Sequence, residues 1–334
     1  MGGAEARDVK VLVTGGGGFL GGAIVRRLLA RGHTVRSFSR GRYPALDALG
    51  VEHAQGDLGD RSAVIAAAAG CDAVVHTAAK AGVWGAYAEY ERANVTGTAN
   101  VLAACRAQGV ARLVYTSTPS VVHPGGDLEG GDESLPYATR PSTAYQATKI
   151  VAEKMVLGAA SEGLSVVALR PHLVWGPGDP HLVPRIVARG RRGRIAIPGG
   201  GDKRVDTVYV DNAADAHVCA LERLGPGAPC AGRAYFVTNG EPLPLRDIVL
   251  GILRAAGIEA RVVPIPRPVA HAAGAALEAA FRLAKRETEP PLTRFVAEQL
   301  STAHFFDIGA ARRDLGWSPA VSIAEGLERL RASL

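Results

Sequence analysis

The sequence places a tyrosine and a lysine, Tyr145 and Lys149, four positions apart in a segment that predicts a helix from 143 to 161. Residues four apart lie on the same helical face, so the phenol and the ammonium are neighbours. A free tyrosine has a pKa of about 10, and a nearby cation lowers it by stabilising the phenolate. The pair could exchange a proton with a substrate. The same spacing arises by chance in many helices, so the pair indicates catalysis only together with other motifs.

A cluster of hydroxyl groups ends a predicted strand, residues 112–118. Thr116, Ser117 and Thr118 stand at its carboxyl end. Open α/β sheets carry their chemistry at that edge. These hydroxyls are therefore candidates for the same site as the tyrosine and the lysine.

Glycines recur at every third position near the start of the chain. A β-forming run, residues 11–14, precedes them, and an amphipathic helical pattern, residues 23–29, follows. Glycines allow a tight turn and close approach to a pyrophosphate, whose charge the N-terminus of the helix then stabilises. The predicted phosphate cradle consists of Gly15, Gly18, Phe19, Leu20 and Gly21.

The end of the second predicted strand, residues 33–38, bears on the choice of cofactor. Sites that prefer NAD place an acid there to hold the ribose 2′-hydroxyl, whereas this chain has Ser39 and Arg40, with Arg42 close behind. A guanidinium and a hydroxyl can bind a 2′-phosphate by charge-assisted hydrogen bonds. The sequence therefore favours NADP(H) and leaves NAD(H) open. The alternative is that Arg40 merely begins a solvated loop.

Two further strand ends are predicted to line the dinucleotide. Asp57 follows the third strand and could accept from the adenine amino group, although Asp57 or Asp60 could instead cap the next helix. Ala78 and Ala79 end the fourth predicted strand, residues 73–79, and their small side chains leave room for a ribose. A long helical region is expected from about 86 to 108, and a loop over the site from 119 to 141.

The alternation of strands and helices up to residue 171 predicts an α/β fold with a doubly wound, parallel Rossmann sheet. Residues 1–171 are therefore expected to form the dinucleotide-binding domain. Residues 172–334 alternate less regularly and predict a smaller mixed α/β substrate-binding region, of a kind that can return a strand and a helix to the sheet.

Composition and charge exclude several classes of protein. The net charge of +6 and the pI of about 9.3 raise the idea of nucleic acid, but the basic run 189–194 lacks interleaved aromatic residues, so no nucleic-acid partner is expected. The four cysteines are too widely spaced for a metal or redox pair, which predicts free thiols in a cytoplasmic, reducing compartment. Residues 1–8 contain no apolar export segment, and the most apolar window, 262–283, is interrupted by prolines and charges.

Taken in order, these features resemble the extended short-chain dehydrogenase/reductase family over essentially the full chain. The resemblance rests on Thr14 to Gly21, Gly56-Asp57-Leu58, Asn94 to Thr98, Tyr115 to Thr118, Tyr145 to Lys149 and Leu169-Arg170-Pro171. It implies that Tyr145 protonates a developing alkoxide while Thr118 hydrogen-bonds the same oxygen. Lys149 would lower the pKa of the phenol and hold the nicotinamide ribose. Thr118 stands where the family more often has serine, and Ser117 is the fallback.

Within that family the chain is more similar to the 3β-hydroxysteroid dehydrogenase-like branch, and there to the β-keto acid reductases of bacterial olefin biosynthesis. The blocks concerned are Ala79 to Gly85, Thr116 to Val121, Trp175 to Asp179, Asn239 to Pro244 and Pro290 to Phe295. They imply NADP(H)-dependent reduction of the ketone of a hydrophobic 2-alkyl-3-oxoalkanoic acid to the β-hydroxy acid. Further cofactor contacts are then expected from Leu58, Lys80 and Pro171. The expected substrate residues are Trp84, Ser117, His123, His172 and Trp175, with core packing as the alternative for the tryptophans.

Other functions stay open on the same residues. Oxidation of a 3β-hydroxysteroid or sterol would run the chemistry in reverse, and a nucleotide-sugar epimerase or dehydratase shares the fold. From a different class, the chain could be a dinucleotide-sensing binding protein without catalysis, although such proteins tend to lack the tyrosine and the lysine. His76 is expected to be a hydrogen-bonded structural residue, and no metal-ligand set is seen. Asn94 is expected to pack or to bond the backbone.

The segment from Val269 to Leu283 is largely apolar and is followed by Lys285 and Arg286. The favoured expectation is a buried or subunit-contact helix; the alternative is a lid or membrane-surface element, spanning 269–286, for a long-chain substrate. A homodimer is expected, and assembly with other enzymes of a pathway is a further hypothesis.

Overall fold

The computed structural model describes residues 9–161 and 163–334. Residues 1–8, on which the expectation of a chain without an export segment rests, lie outside the described residues. The strands are β1 (Lys10–Thr14), β2 (Thr34–Ser39), β3 (Glu52–Gln55), β4 (Ala73–His76), β5 (Arg112–Thr116), β6 (Leu128–Gly131), β7 (Ser165–Pro171), β8 (Val174–Trp175), β9 (Arg194–Pro198), β10 (Arg204–Val205), β11 (Val208–Tyr209), β12 (Arg233–Val237), β13 (Leu243–Pro244), β14 (Arg261–Ile265) and β15 (His304–Phe306).

Helices pack on both faces of the principal sheet and build much of the second half of the chain. The α-helices are α1 (Phe19–Ala30), α2 (Pro44–Asp47), α3 (Arg61–Ala68), α4 (Tyr87–Tyr90), α5 (Gly97–Gln108), α6 (Ala144–Leu157), α7 (Leu182–Gly190), α8 (Val210–Arg223), α9 (Leu245–Ala255), α10 (Arg267–Leu283), α11 (Arg294–Gln299), α12 (Gly309–Leu315) and α13 (Ile323–Ser333). No helix in the described ranges is both long enough and apolar enough to cross a bilayer.

The principal sheet has seven parallel strands in the order β12-β7-β5-β4-β1-β2-β3. β1 pairs with β2 on one side and with β4 on the other, so the winding reverses between β1 and β4. In doubly wound sheets a ligand crevice opens at the carboxyl ends of the strands where this reversal occurs. The predicted α/β fold with a doubly wound Rossmann sheet is confirmed.

Both faces of this sheet are buried. In β1, Val11 and Val13 enter the core on one face and Leu12 enters the core on the other, and none of the three is more than 1% exposed. Successive residues of a strand point to opposite faces, so a strand covered on both sides must be apolar throughout. This explains the continuous apolar run that precedes the glycines.

The second half of the chain is attached to the first by shared structure. β12 comes from beyond residue 171 and pairs with β7 in the principal sheet, in parallel from Arg233↔Val167 to Val237↔Pro171. Its helix neighbour α8 packs against α1. The remaining strands form smaller sheets, in the orders β13-β10-β15-β6, β11-β8 and β14-β9. The principal sheet therefore includes a strand from beyond residue 171, and the division of the chain at that residue stays a prediction.

The structure confirms one expected segment and corrects another. The long helical region predicted from 86 to 108 is present as α4, a π-helical turn over Glu91–Thr96, and α5. Within that turn the Asn94 side chain makes hydrogen bonds with the main chain of Lys80. The loop predicted from 119 to 141 contains a 3₁₀ turn, Pro119–Val122, and β6, because pairing with the distant β15 makes a strand there.

Helix α10 lies largely on the surface. It buries a narrow stripe, Ala270, Gly274 and Glu278, against α11, while Val269 and Leu283 are 56% and 88% exposed. Within this stripe, Gly274 lets the backbone at Thr293 approach closely. The expectation of a helix buried within its own chain is therefore wrong, and its subunit-contact and membrane alternatives remain predictions.

Candidate active site

The glycine-rich turn is shaped by contacts that exclude side chains. Gly15 adopts φ +73° and donates its N–H to Phe38 O at 2.9 Å, and a Cβ on it would lie 2.9 Å from Ala78 Cα. A Cβ on Gly21 would overlap the Gly15 carbonyl. Gly18 is the N-cap of α1 and supplies no capping side chain. The uncapped N-terminus of α1 therefore forms a cradle that fits a pyrophosphate.

The end of β2 carries the residues predicted to discriminate the cofactor. The Ser39 hydroxyl donates to Gly41 O at 2.8 Å, and the main chain of Arg40 is held by Gln55. Arg42 is engaged by Asp47 at 2.9 Å. Arg40 is exposed, and its guanidinium makes no ion pair within the described part of the chain. Arg40 is therefore free to meet an anion.

Two aspartates, Asp57 and Asp60, follow the end of β3. Asp60, not Asp57, caps α3 by accepting from Ser62 N and Ala63 N. Asp57 accepts from Gly59 N at 2.8 Å, and its other oxygen is not committed to the cap. The expectation that Asp57 could serve adenine thus survives the capping alternative.

The main chains of Leu58 and Lys80 are each held by the side chain of an asparagine. Leu58 O accepts from Asn100 Nδ2 at 2.7 Å, and Leu58 packs on Gly97. Lys80 is fixed by Asn94 through both its N–H and its C=O, while its ammonium pairs with Glu89 at 2.7 Å. Ala79 and Ala78 precede it, and Ala78 N donates to Thr14 Oγ1. Asn94 thereby acts as the backbone-bonding residue that was expected.

Three hydroxyl groups meet where β5 ends and α6 begins. The Thr118 hydroxyl lies 3.1 Å from Ser120 Oγ. Burial raises the pKa of Tyr145 to about 12, and the neighbouring Thr118 hydroxyl acts in the opposite direction. The structure thus brings together the predicted pair and adds Ser120, which no sequence motif singled out.

Lys149 is buried and approaches the site from the same helix. Its Nζ donates to Tyr115 Oη and to Thr116 O, both at 2.6 Å. Burial lowers the pKa of Lys149 to about 7, and the charge of Glu153 opposes that shift. The resemblance implied that Lys149 acts directly on the phenol of Tyr145; in this structure its ammonium is bonded to the end of β5.

The end of β5 is supported from both faces of the sheet by buried histidines. His76 bonds Thr14 Oγ1 at 2.7 Å and Thr98 Oγ1 at 3.0 Å, and burial lowers its pKa to about 3. His217 on α8 bonds the Thr116 hydroxyl at 2.8 Å. His76 is therefore structural, as expected, whereas His217 carried no recognisable pattern.

The predicted substrate residues fall into different environments. Trp175 is fully buried and donates to Thr207 Oγ1, which corrects its assignment as a substrate residue: it is part of the core. Trp84 donates to Arg286 O and meets Phe281 of α10 edge to face, with ring centroids 6.4 Å apart. Trp84 thus connects the end of β4 to the surface helix.

The other three lie close to the carboxyl ends of β5 and β7. Ser117 is 4% exposed, and its hydroxyl has no partner among the described residues. His172 packs against His304 with ring centroids 4.9 Å apart, and His123 is 6.2 Å from His304. Burial lowers the pKa of all three histidines, so they present neutral imidazoles. No sequence pattern indicated His304, because it is 132 residues from His172 in the chain.

Comparison with known proteins agrees with this geometry. Residues 12–267 match the model of the 3-beta hydroxysteroid dehydrogenase/isomerase family. A 2-alkyl-3-oxoalkanoate reductase of Stenotrophomonas maltophilia is 53% identical over 327 residues, covering 97% of this chain and 99% of that protein. A protein of the same name from Shewanella oneidensis is 52% identical, covering 98% and 87%. The structure is also similar to the UDP-glucose 4-epimerase of Thermus thermophilus in complex with NAD, with a TM-score of 0.72, 29% identity and coverage of 97% and 98%.

Proposed function

We propose a substrate and a cofactor for this chain, which belongs to the 3-beta hydroxysteroid dehydrogenase/isomerase family and is an NAD(P)-dependent oxidoreductase of CH–OH and C=O groups. The substrate is a hydrophobic 2-alkyl-3-oxoalkanoic acid, whose ketone is reduced to the alcohol. The observation that carries the proposal is the meeting of Tyr145, Thr118 and Lys149 at the carboxyl end of β5, where Lys149 Nζ donates to Thr116 O at 2.6 Å. The 52–53% identity to reductases of that name supports the substrate class.

In this proposal Tyr145 and Thr118 bind the ketone oxygen. Because the pKa of Tyr145 is about 12, the phenol holds its proton at neutral pH. It can therefore donate that proton to the oxygen as negative charge develops there, which suits reduction. Thr118 donates a second hydrogen bond to the same oxygen. The hydride for the carbonyl carbon is the chemistry that a bound, reduced nicotinamide supplies.

Lys149 orients the cofactor in the same proposal. Tyr115 and Thr116 hold its Nζ at the end of β5, next to the helix that carries Tyr145. A donor fixed there can hydrogen-bond the nicotinamide ribose. Gly15, Gly18, Phe19, Leu20 and Gly21 hold the pyrophosphate, and Asp57, Leu58, Ala78, Ala79, Lys80 and Pro171 line the remainder.

NADP(H) is the proposed cofactor because of the end of β2. Arg40 offers an exposed guanidinium without an ion-pair partner in the described ranges, and Ser39 stands beside it. A 2′-phosphate would receive charge-assisted hydrogen bonds there. No carboxylate occupies either position, so the group that would repel a 2′-phosphate is missing.

The test is an absorbance assay of nicotinamide oxidation state. Purified protein is given NADPH or NADH with fresh 2-alkyl-3-oxo acids. Since such acids lose carbon dioxide spontaneously, the matching 2-alkyl-3-hydroxy acids with NADP⁺ or NAD⁺ form a second arm. A third arm pairs the oxidised cofactors with 3β-hydroxysteroids.

We expect turnover of the oxo and hydroxy acids, faster with the phosphorylated cofactor. Turnover confined to 3β-hydroxysteroids would replace the proposed substrate by a sterol. Absence of turnover in every arm, with tight cofactor binding, would favour a non-catalytic dinucleotide sensor.

A further inference from the structure

The head group of Lys149 is held in place by acceptors on β5. An ammonium has three protons, and Tyr115 Oη and Thr116 O accept two of them at 2.6 Å. One proton is left for a further acceptor. The direction in which Lys149 donates is therefore decided by Tyr115 and Thr116 rather than by Lys149 itself.

A buried chain of hydrogen bonds lies beside Tyr115, and its protons can be assigned. Ala78 N–H donates to Thr14 Oγ1 at 3.3 Å, so the Thr14 hydroxyl proton is free to go to His76 Nδ1 at 2.7 Å. The ring proton of His76 then sits on Nε2 and is donated to Thr98 Oγ1 at 3.0 Å. A pKa of about 3 for His76 agrees with this neutral ring.

Thr98 closes the chain. Its single hydroxyl proton goes to Asn94 O at 2.6 Å, so Thr98 Oγ1 accepts the ring proton of His76. The His76 ring, held in this way, packs against the Tyr115 ring with centroids 5.6 Å apart, and Tyr115 Oη accepts from Lys149 Nζ at 2.6 Å. Each side chain in this chain is at most 2% exposed, except that Asn94 and Ala78 act through their backbones. Water therefore does not compete for these bonds, which are strong in a medium of low dielectric.

We propose that Tyr115, itself oriented by Thr98 and His76, is a positioning residue that keeps the Lys149 ammonium charged and aimed at the cofactor ribose. The proposal rests on the role given to Lys149 under the proposed function. The ionisable groups facing Lys149 are Glu153 on its own helix, paired with Arg170 of β7, His76 of β4 and Tyr115 of β5. Among them, Tyr115 is the group that hydrogen-bonds Nζ.

The test compares variants that remove a hydroxyl from the chain with variants that do not. Tyr115→Phe and Thr98→Val remove one; Thr98→Ser keeps it; Tyr235→Phe removes an equally buried phenol from β12, where it bonds Asp314. For each, kcat and KM for the oxo acid, kcat/KM for NADPH against pH, and the melting temperature are measured.

We expect Tyr115→Phe to lower kcat about 10-fold, the usual scale for one hydrogen bond to a charged group. The removed oxygen stabilises the charged amine, so the pH at which kcat/KM for NADPH declines should move to lower pH. Thr98→Val should shift both quantities in the same direction by less. Thr98→Ser and Tyr235→Phe should stay within about twofold of wild type, the scatter expected for substitutions that remove no such bond.

A pH profile unchanged in Tyr115→Phe would overturn the proposal, whatever happens to kcat, because a merely structural defect lowers the amount of active enzyme without moving the decline. Lys149→Met separates this failure from failure of the proposed function. If Lys149→Met is as active as wild type, or wild type has no ketone turnover, the proposed function fails. If Lys149→Met is inactive while Tyr115→Phe is normal, only the present inference fails.

Discussion

The two ends of the predicted dinucleotide site are built in opposite ways. At the end of β5, Lys149 and Tyr115 are buried, and a hydrogen bond of 2.6 Å from Nζ to Oη joins them. At the end of β2, Arg40 is exposed and unpaired within the described ranges. Proton transfer requires atoms fixed to a fraction of an ångström, whereas a guanidinium on a flexible stem can find a phosphate. Under the proposed function, chemistry belongs to the rigid end and cofactor discrimination to the exposed end.

The strongest challenge to this contrast is Tyr145→Phe. We expect kcat to fall about 10³-fold, since removal of a general acid usually costs 10²–10⁴-fold. Binding of NADPH, followed by fluorescence titration, should change little because the phenol serves the substrate oxygen. Near-full turnover would remove Tyr145 from the mechanism, and proton transfer could then no longer be assigned to the rigid end.

A second prediction concerns the cradle between the two ends. Gly21→Ala should weaken NADPH binding about 100-fold, because its Cβ overlaps the Gly15 carbonyl and reshapes the turn that receives the pyrophosphate. Gly22→Ala is the matched control, since a Cβ there lies 3.4 Å from Gly16 O, an ordinary contact. Isothermal titration of both variants checks this. Equal affinities would mean that the cradle tolerates a side chain and does not approach the cofactor closely.

A third prediction tests the exposed end of the site, at the end of β2. Arg40→Ala should raise KM for NADPH about 10-fold through loss of one charge-assisted bond in an exposed position, while KM for NADH stays unchanged. The ratio of the two KM values is its own control, because a general defect would change both. If both constants rise together, Arg40 supports the loop rather than recognising a 2′-phosphate.

A fourth prediction uses the pKa of Lys149. Burial places this pKa at about 7, so the free enzyme carries the charged amine below that pH and loses it above. Since kcat/KM reports the free enzyme, kcat/KM for NADPH should decline several-fold as pH rises from about 6 to about 8. Tyr145, with a pKa of about 12, should keep its proton throughout. A flat profile over this range would show that the charge of Lys149 does not assist cofactor binding.

The sequence was sufficient for the features that depend on local pattern. Spaced glycines after an apolar run predicted the cradle, and Tyr145 and Lys149 share a helical face because of a four-residue spacing. Alternation of strands and helices predicted the parallel sheet. Local pattern was not sufficient where a partner distant in the chain determines the structure. β6 is a strand because β15 pairs with it, and Trp175 lies in the core, in contact with Thr207 and Tyr209.

The chemical types of the site residues, and the elements that carry them, were therefore written in the sequence of this protein. Only the tertiary structure decided which lone pair each proton meets. Tyr115 reads in the sequence as an ordinary aromatic residue of a strand; His76, Thr98 and Lys149 come from other elements and meet it only after the sheet has formed. Hydrogen bonding is short-ranged and directional, so a pattern along the chain can identify a donor but cannot say where it points.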